Sequence, residues 1–129
     1  MLTHATFRIL SWDEQAFDER EGEPRLTRAH VTKSFHGELT GTGNLLYVMT
    51  HLEGGSASFT GFEKVVGSLG GRRGSFVLRH AGTYDGAAAR AAYEVVPGSG
   101  TGELAGLSGT GGFSAGHAEE HDMTLDYEL

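Results

Sequence analysis

The sequence predicts an all-β fold of one domain, with about eight strands in a barrel or a sandwich and little or no helix. Glycine makes up 21 of the 129 residues and proline only 2. Frequent glycine disfavours helices and is typical of hairpin turns, bulges and barrel corners, while few prolines leave backbone N–H groups free for strand pairing. In residues 118–129, His121 and the apolar Met123, Leu125, Tyr127 and Leu129 lie on one face and acidic residues and Thr124 on the other, which is the period of a strand. The length, without any linker, indicates one domain spanning residues 1–129.

The N-terminal half contains three predicted strands. Residues 3–12 are rich in β-forming side chains. Residues 13–23 are acidic and polar, Pro24 closes them, and their outer part is predicted as a solvated loop. Residues 25–35 alternate with period two. Glycines 41 and 43 are predicted to interrupt the next strand, which continues through the apolar run 45–52.

Five more strands are predicted in the C-terminal half. Residues 56–66 and 74–84 form a hairpin around a glycine-rich loop, and Asp85-Gly86 begins the next turn. Alanines in the strand that follows favour helix on propensity, but a short run after an Asp-Gly turn favours a strand. The last three predicted strands are residues 87–96, 103–113, which glycines break, and 118–129.

Composition limits the class of function. The net charge of -7 argues against a nucleic-acid partner, because binding phosphates requires a basic patch. The absence of cysteine excludes disulfides and thiolate metal sites. Neither a signal peptide nor a membrane span of apolar residues is recognisable, so the expected location is the cytoplasm. No cofactor is predicted.

Two short motifs suggest chemistry that their surroundings do not support. Residues 100–105 fit G-x-G-x-x-A, but the glycine-rich segment after them cannot form the helix that a dinucleotide site needs. Residues 117–121 read H-x-x-E-H, a protease motif only when it lies on a helix. On a strand, His117, Glu119 and His121 would share a face. No metal site is predicted, although a mononuclear site there stays an alternative to a solvated strand end.

Glu63 and His80 are the strongest candidates for a functional pair. Each is the one charged or titratable side chain in an apolar row of the predicted hairpin. A loop centred on Gly71-Arg72 places them directly opposite, and a shift by two leaves them diagonal on the same face. A buried carboxylate and imidazole can act as a general acid and base, or can form a polar plug that fills a small barrel. Both alternatives stay open.

Other residues are expected to surround this pair. His121 lies in an apolar row and is predicted as a third catalytic residue. Lys33 also lies in an apolar row, and a surface position with its ammonium in water is weighed against a place in the network. His4, His30, His36 and His51 are predicted to lie on the surface. The residues expected to bind a ligand in the lumen are Tyr47, Phe59, Phe76, Tyr127 and Lys33.

Two long stretches carry a family resemblance. Residues 60–86 (TGFEKVVGSLGGRRGSFVLRHAGTYDG) and 95–111 (VVPGSGTGELAGLSGTG), with FRILSWDE at 7–14 and LDYEL at 125–129, resemble the bacterial family of unknown function DUF3224. The resemblance implies an eight-stranded antiparallel barrel similar to that of allene oxide cyclases and plant dirigent proteins. Such barrels bind reactive apolar molecules and are often homo-oligomers.

The combined expectation is a cytoplasmic barrel that binds a hydrophobic or amphipathic small molecule. Glu63 as base and His80 as its acid partner would isomerise or cyclise that molecule, without a cofactor. A non-catalytic carrier or sensor, and a filled barrel that acts through its surface, are the alternatives. Neither a nucleic-acid nor a membrane partner is expected. The chain is expected to form a homo-oligomer.

Overall fold

The computed structural model describes residues 1–129, in which eight antiparallel strands close into one barrel in chain order. Each strand pairs with the next, and the last pairs with the first. The predicted eight-stranded barrel is therefore confirmed. The strands are β1 (Leu2–Asp18), β2 (Arg25–Gly37), β3 (Leu39–His51), β4 (Ala57–Leu69), β5 (Arg72–Tyr84), β6 (Ala89–Val95), β7 (Ser108–Ala115) and β8 (His121–Glu128).

Helical structure is limited to two short 3-10 turns, Glu53–Gly55 and Gly102–Leu104. No helix has the length and the apolar character that crossing a membrane would require. The alanines of residues 87–92, which favour helix on propensity, lead into and form β6, because pairing with β5 and β7 outweighs that preference.

The first strand is longer than predicted, because it continues past residue 12 to Asp18, while the outer part of the acidic segment, residues 19–24, forms the expected exposed turn. Residues 13–18 pair with β2, with Glu14 beside Ala29. The register shifts between Ile9 and Ser11, which marks a bulge at Leu10. A bulge reverses which side chains point inward. Ile9 before it and Trp12 after it therefore both face the lumen.

The predicted break in β3 and the predicted start of β7 were also wrong. β3 runs without interruption through Gly41 and Gly43. Residues 96–107 are not part of a strand but fold over one end of the barrel, where Leu104 and Leu107 are buried. This segment also accepts hydrogen bonds from β5 beyond the end of β6, since Ser99 Oγ and Thr101 Oγ1 accept from the backbone N–H groups of residues 77 and 75.

The β4–β5 hairpin turns at Gly70-Gly71, where both φ angles are positive (57° and 85°). A two-residue turn with two positive φ angles favours glycine at both positions. Gly61, not Glu63, pairs with His80. The directly opposed register was therefore wrong, and the diagonal one is found. Glu63 and His80 still share the inner face.

The core is divided between the two ends of the barrel. The filled end contains the larger apolar cluster and is covered by residues 96–107. The open end contains the smaller cluster and includes several alanines. The filled-end cluster is Ala5, Phe7, Phe35, Leu39, Val65, Leu69, Phe76, Leu78, Tyr93, Val95, Leu104, Leu107, Met123, Leu125 and Tyr127. The open-end cluster is Ala29, Val31, Leu45, Tyr47, Met49, Ala57, Phe59 and Ala91.

Candidate functional site

A cavity of about 400 Å³ occupies the open end. This volume is within the range of pockets that hold small organic molecules. Its walls are mainly apolar, and small side chains leave the space that the filled end lacks. Its apolar lining includes Trp12, Val31, Met49, Ala57, Phe59, Ala89 and Phe113, and its polar lining includes Lys33, Tyr47, His121, Glu14 and His51.

Four buried side chains form a connected polar network between the two ends, Lys33, Glu63, His80 and Tyr47. His80 Nε2 lies 2.9 Å from Glu63 Oε1, and His80 Nδ1 lies 3.3 Å from the Tyr47 hydroxyl. Lys33 Nζ lies 3.5 Å from Glu63 Oε2. Because an ionised carboxylate only accepts, Nε2 of a neutral His80 carries the proton and donates to Glu63. The Tyr47 hydroxyl then donates to Nδ1.

Gly43 allows the two charged groups to meet. Lys33 on β2 and Glu63 on β4 are separated by β3, where Gly43 pairs with Lys33. A Cβ atom at position 43 would overlap the Glu63 carboxylate and press on the Phe35 ring. The missing side chain therefore leaves room for the carboxylate to reach across β3 to the ammonium.

The charges of the network follow from burial and from its internal contacts. Burial alone would raise the pKa of Glu63, but the Lys33 ammonium and the His80 hydrogen bond hold this pKa below its ordinary value. Burial lowers the pKa of His80 and that of Lys33. Burial, together with the Glu63 charge, raises the pKa of Tyr47. At neutral pH, Glu63 is thus ionised, His80 neutral and Tyr47 protonated.

The surface position weighed for Lys33 was wrong. Lys33 is only 3% exposed. Its ammonium lies 4.4 Å from the centre of the Phe7 ring and 5.1 Å from that of Phe113. These ring faces attract a cation, and Glu63 supplies the opposite charge. The place of Lys33 in its strand's alternation, rather than its charge, determined the direction of its side chain.

The structure brings together most of the predicted site residues but not all. Lys33, Tyr47, Phe59 and His121 line the cavity. Glu63 and His80 are each 1% exposed and are not among its lining residues; they contact it through Lys33 and Tyr47.

Phe76 and Tyr127 lie elsewhere, and the expectation that they line the cavity was wrong. Both belong to the filled-end cluster. The Tyr127 hydroxyl donates to Met1 Sδ at 3.3 Å and lies beside the Gly70-Gly71 turn. The alternation that directed these side chains inward was correct, but it could not tell one end of the lumen from the other.

The arrangement weighed as a metal site is not formed. Residues 117–120 form bends rather than a strand, and β8 begins at His121. His117 and Glu119 are exposed, whereas His121 is buried, with its ring 5.2 Å from that of Phe7. Arg8 instead pairs with Glu119 and Glu120 and holds this loop against β1.

A second polar group, at the mouth of the cavity, was missed by the sequence reasoning. We name Trp12, Glu14, Thr27 and His51 the rim cluster. Glu14 accepts hydrogen bonds from the Trp12 indole (2.9 Å), the Thr27 hydroxyl (2.8 Å) and His51 Nε2 (2.8 Å). His51 was predicted to lie on the surface but is partly buried here. The sequence signal for the rim cluster was the alternation of residues 12–16, which places Trp12 and Glu14 inward once a bulge is allowed at Leu10.

Comparison with known proteins decides the family. The family model described as "Protein of unknown function (DUF3224)" matches residues 3–127. The chain belongs to this family. The DUF3224 chain is also similar to a crystal structure of a DUF3224 protein with unknown function from Shewanella oneidensis MR-1, with 35% identity and a TM-score of 0.75. That similarity covers 100% of this chain and 98% of the other. No curated protein matches the DUF3224 chain at a significant level.

Proposed function

We propose that the barrel binds a small amphipathic molecule in its open-end cavity, with Lys33 holding an oxygen of that molecule. The observation that carries this proposal is a buried ammonium at the floor of an otherwise mainly apolar cavity of about 400 Å³. An apolar body binds by burial against Val31, Met49 and Phe59. A few fixed polar groups then orient it, as is usual in small-molecule sites.

Lys33 is suited to an anionic or carbonyl oxygen. An ammonium has three donors, and Glu63 takes one side of it. Charge-assisted hydrogen bonds contribute about 1.5–3 kcal/mol each, which corresponds to roughly ten- to a hundredfold in affinity. Tyr47 lies at the same floor and presents its hydroxyl oxygen beside His80.

Trp12 provides a direct test, because it is the single tryptophan and lines the cavity. We expect decanoate to change Trp12 emission and to bind at least tenfold more tightly than decanol. The Lys33→Met/Glu63→Gln double variant removes both buried charges together, so it keeps a neutral core. In that variant the preference for decanoate should disappear while decanol still binds. Equal affinities of the wild-type protein for both probes would contradict the proposal.

Catalysis is a second candidate function, favoured by the hydrogen-bond chain from Tyr47 through His80 to Glu63. Tyr47 would take a proton from a carbon of the ligand while its own hydroxyl proton passes to His80 Nδ1. Glu63 would stabilise the imidazolium, and Lys33 the developing enolate oxygen. This sequence fits isomerisation or cyclisation, the chemistry that the resemblance to allene oxide cyclases suggests. Glu63 and His80 then act as positioning residues behind Tyr47.

Native mass spectrometry of freshly purified protein separates the enzyme from the carrier. Any co-purified molecule is released, identified and returned to the wild-type protein and to Tyr47→Phe. An enzyme converts it to an isomer of the same mass, resolved by chromatography, only when Tyr47 is present. A carrier returns it unchanged from both proteins.

We also propose that the chain self-associates. Four large apolar side chains lie exposed on the outer face of β3 and β4, Leu46, Val48, Phe62 and Val66. Light scattering across a range of concentrations tests this directly. A single species with the mass of one chain at every concentration would contradict it, and Phe62→Ser should weaken any association that is found.

A further inference from the structure

We infer that the cavity selects a ligand with two polar ends, an acceptor oxygen at the floor and a hydrogen-bond donor at the mouth. This inference rests on the proposed function, since it concerns the same cavity. It assigns to the rim cluster the recognition of the outer end, for which a terminal hydroxyl is the simplest chemistry. The ligand class is thus an ω-hydroxy carboxylic acid or a molecule of the same polarity.

The rim cluster is held in one orientation by its own hydrogen bonds. Thr27, which is 1% exposed, and the Trp12 indole both donate to Glu14, so the carboxylate is fixed from two sides. These donors and His51 keep the pKa of Glu14 below its usual value even though burial opposes this, so Glu14 is an anion at neutral pH. Three donors occupy the two carboxylate oxygens, which have about four lone-pair positions.

The rim carboxylate offers an unused acceptor at the mouth. Glu14 has one acceptor position left after its three hydrogen bonds. His51 Nε2 occupies one of these three positions by donating to the carboxylate. The charged group of the floor has the opposite character, because the Lys33 ammonium can only donate. The cavity therefore complements a molecule that accepts at its inner end and donates at its outer end.

The distance between the two polar groups indicates a minimum length. Tyr47 at the floor and His51 at the mouth lie on the same strand and four residues apart. At about 3.3 Å per residue their Cα atoms are about 13 Å apart. The wall between them is apolar, with Met49 and Phe59 facing the cavity. A short hydroxy acid cannot reach both ends, whereas an extended chain of about ten carbon atoms can.

The test compares three probes of equal chain length by calorimetry and by Trp12 emission. They are decanoate, its ω-hydroxy derivative and decanedioate. We expect the ω-hydroxy acid to bind at least threefold more tightly than decanoate. Decanedioate should bind at least tenfold more weakly than the ω-hydroxy acid, because its second carboxylate meets the Glu14 anion. ω-Hydroxyhexanoate should gain nothing over hexanoate.

Two variants assign the effect to the rim. Glu14→Gln should remove most of the penalty on decanedioate. Glu21→Gln makes the same change of charge in the exposed β1–β2 turn and should leave all three affinities unchanged. Equal affinities for the three probes, with decanoate binding still dependent on Lys33, would overturn this inference and leave the proposed function standing. Failure of every probe to bind would overturn both.

Discussion

The two ends of the barrel are built from the same strands and the same inward alternation, yet one is solid and the other hollow. The filled end has leucines at its inward positions, among them Leu39, Leu69 and Leu78, each at most 1% exposed. At the open end the corresponding layer has Ala29, Ala57 and Ala91. The difference teaches that alternation determines which side chains enter the lumen, while their size and the covering loop determine whether a cavity remains.

The covering loops strengthen this contrast. Residues 96–107 insert Leu104 and Leu107 into the filled end. At the open end, the loop of residues 52–56 contains Gly54 and Gly55 and buries no large apolar side chain. The Lys33–Glu63–His80–Tyr47 network lies at the border between the two regions. The barrel is thus a closed base that supports a polar floor and an accessible chamber.

The largest effect is expected at this border, from Glu63→Gln. The substitution leaves the Lys33 ammonium buried without its counter-charge, which typically costs about 3–5 kcal/mol of unfolding free energy. Lys33→Met in the same chain should recover most of that loss, because no buried charge then remains. Urea denaturation of the two single variants and the double variant measures the coupling. Additive effects would show that Lys33 and Glu63 do not depend on each other.

Truncation at the two ends should then differ in cost. Leu104→Ala removes a fully packed side chain at the filled end and should lower the free energy of unfolding by about 2–5 kcal/mol. Met49→Ala at the open end removes a side chain that already faces a cavity, so a loss at the lower end of that range, about 2 kcal/mol, is expected. Chemical denaturation measures both. Equal losses would mean that the open end is as tightly packed as the filled one.

Much of the fold, but only part of the site, could be predicted from the sequence. Strand alternation and glycine turns indicated about eight strands in a barrel or a sandwich, and the family resemblance implied the barrel. Alternation also placed Glu63, His80 and Tyr47 on the inner face. The network itself depends on contacts between strands, which alternation does not contain. Lys33 reaches Glu63 only because Gly43, on the strand between them, has no side chain to block the way. From the sequence alone, a surface position was therefore the simpler prediction for the charged Lys33.

The rim cluster was missed for a different reason. A bulge at Leu10 reverses the inward direction along β1, so Glu14 faces the cavity although an unbroken alternation with Phe7 and Ile9 would direct it outward. Bulges leave only a weak signal in composition. Likewise, Leu104 and Leu107 read as part of a strand, because nothing local distinguishes a strand from a covering segment that hydrogen-bonds to the edge of β5.

Two matched substitutions that enlarge an alanine, one at each end, should differ in their effect on stability without removing any contact. Ala5→Leu adds volume to the filled end and should cost about 1–3 kcal/mol through overpacking. Ala57→Leu adds the same volume to the wall of the cavity, where space exists, and should change stability by less than about 1 kcal/mol. It should also weaken decanoate binding at least tenfold, as measured by calorimetry. Tight binding of decanoate to Ala57→Leu would place the ligand outside the cavity.

The smallest effect expected is the change in the free energy of unfolding in mild acid, which should differ between the two ends of the barrel. Burial lowers the pKa of His80 below the ordinary value of 6.5, so the folded protein holds the ring neutral. Below about pH 6.5 the unfolded chain binds more protons than the folded one, and the free energy of unfolding falls as the pH falls, by at most about 1.4 kcal/mol per pH unit. His80→Gln should flatten this slope between pH 7 and 5.5, whereas the exposed His4→Gln should not.

Hydrogen exchange at pH 5.5 should locate that loss in the molecule. His80 belongs to the border network, and His121, whose pKa burial also lowers, lies at the floor of the cavity. The filled end is packed instead by buried apolar side chains such as Leu39, Leu69 and Leu104. Protection should therefore decrease first in the open-end halves of β3 and β4, while amides beside Leu69 and Leu78 keep theirs, because local opening follows the less densely packed region. Uniform loss of protection along both strands would mean that the two ends unfold as one unit and that the cavity does not divide the stability of the barrel.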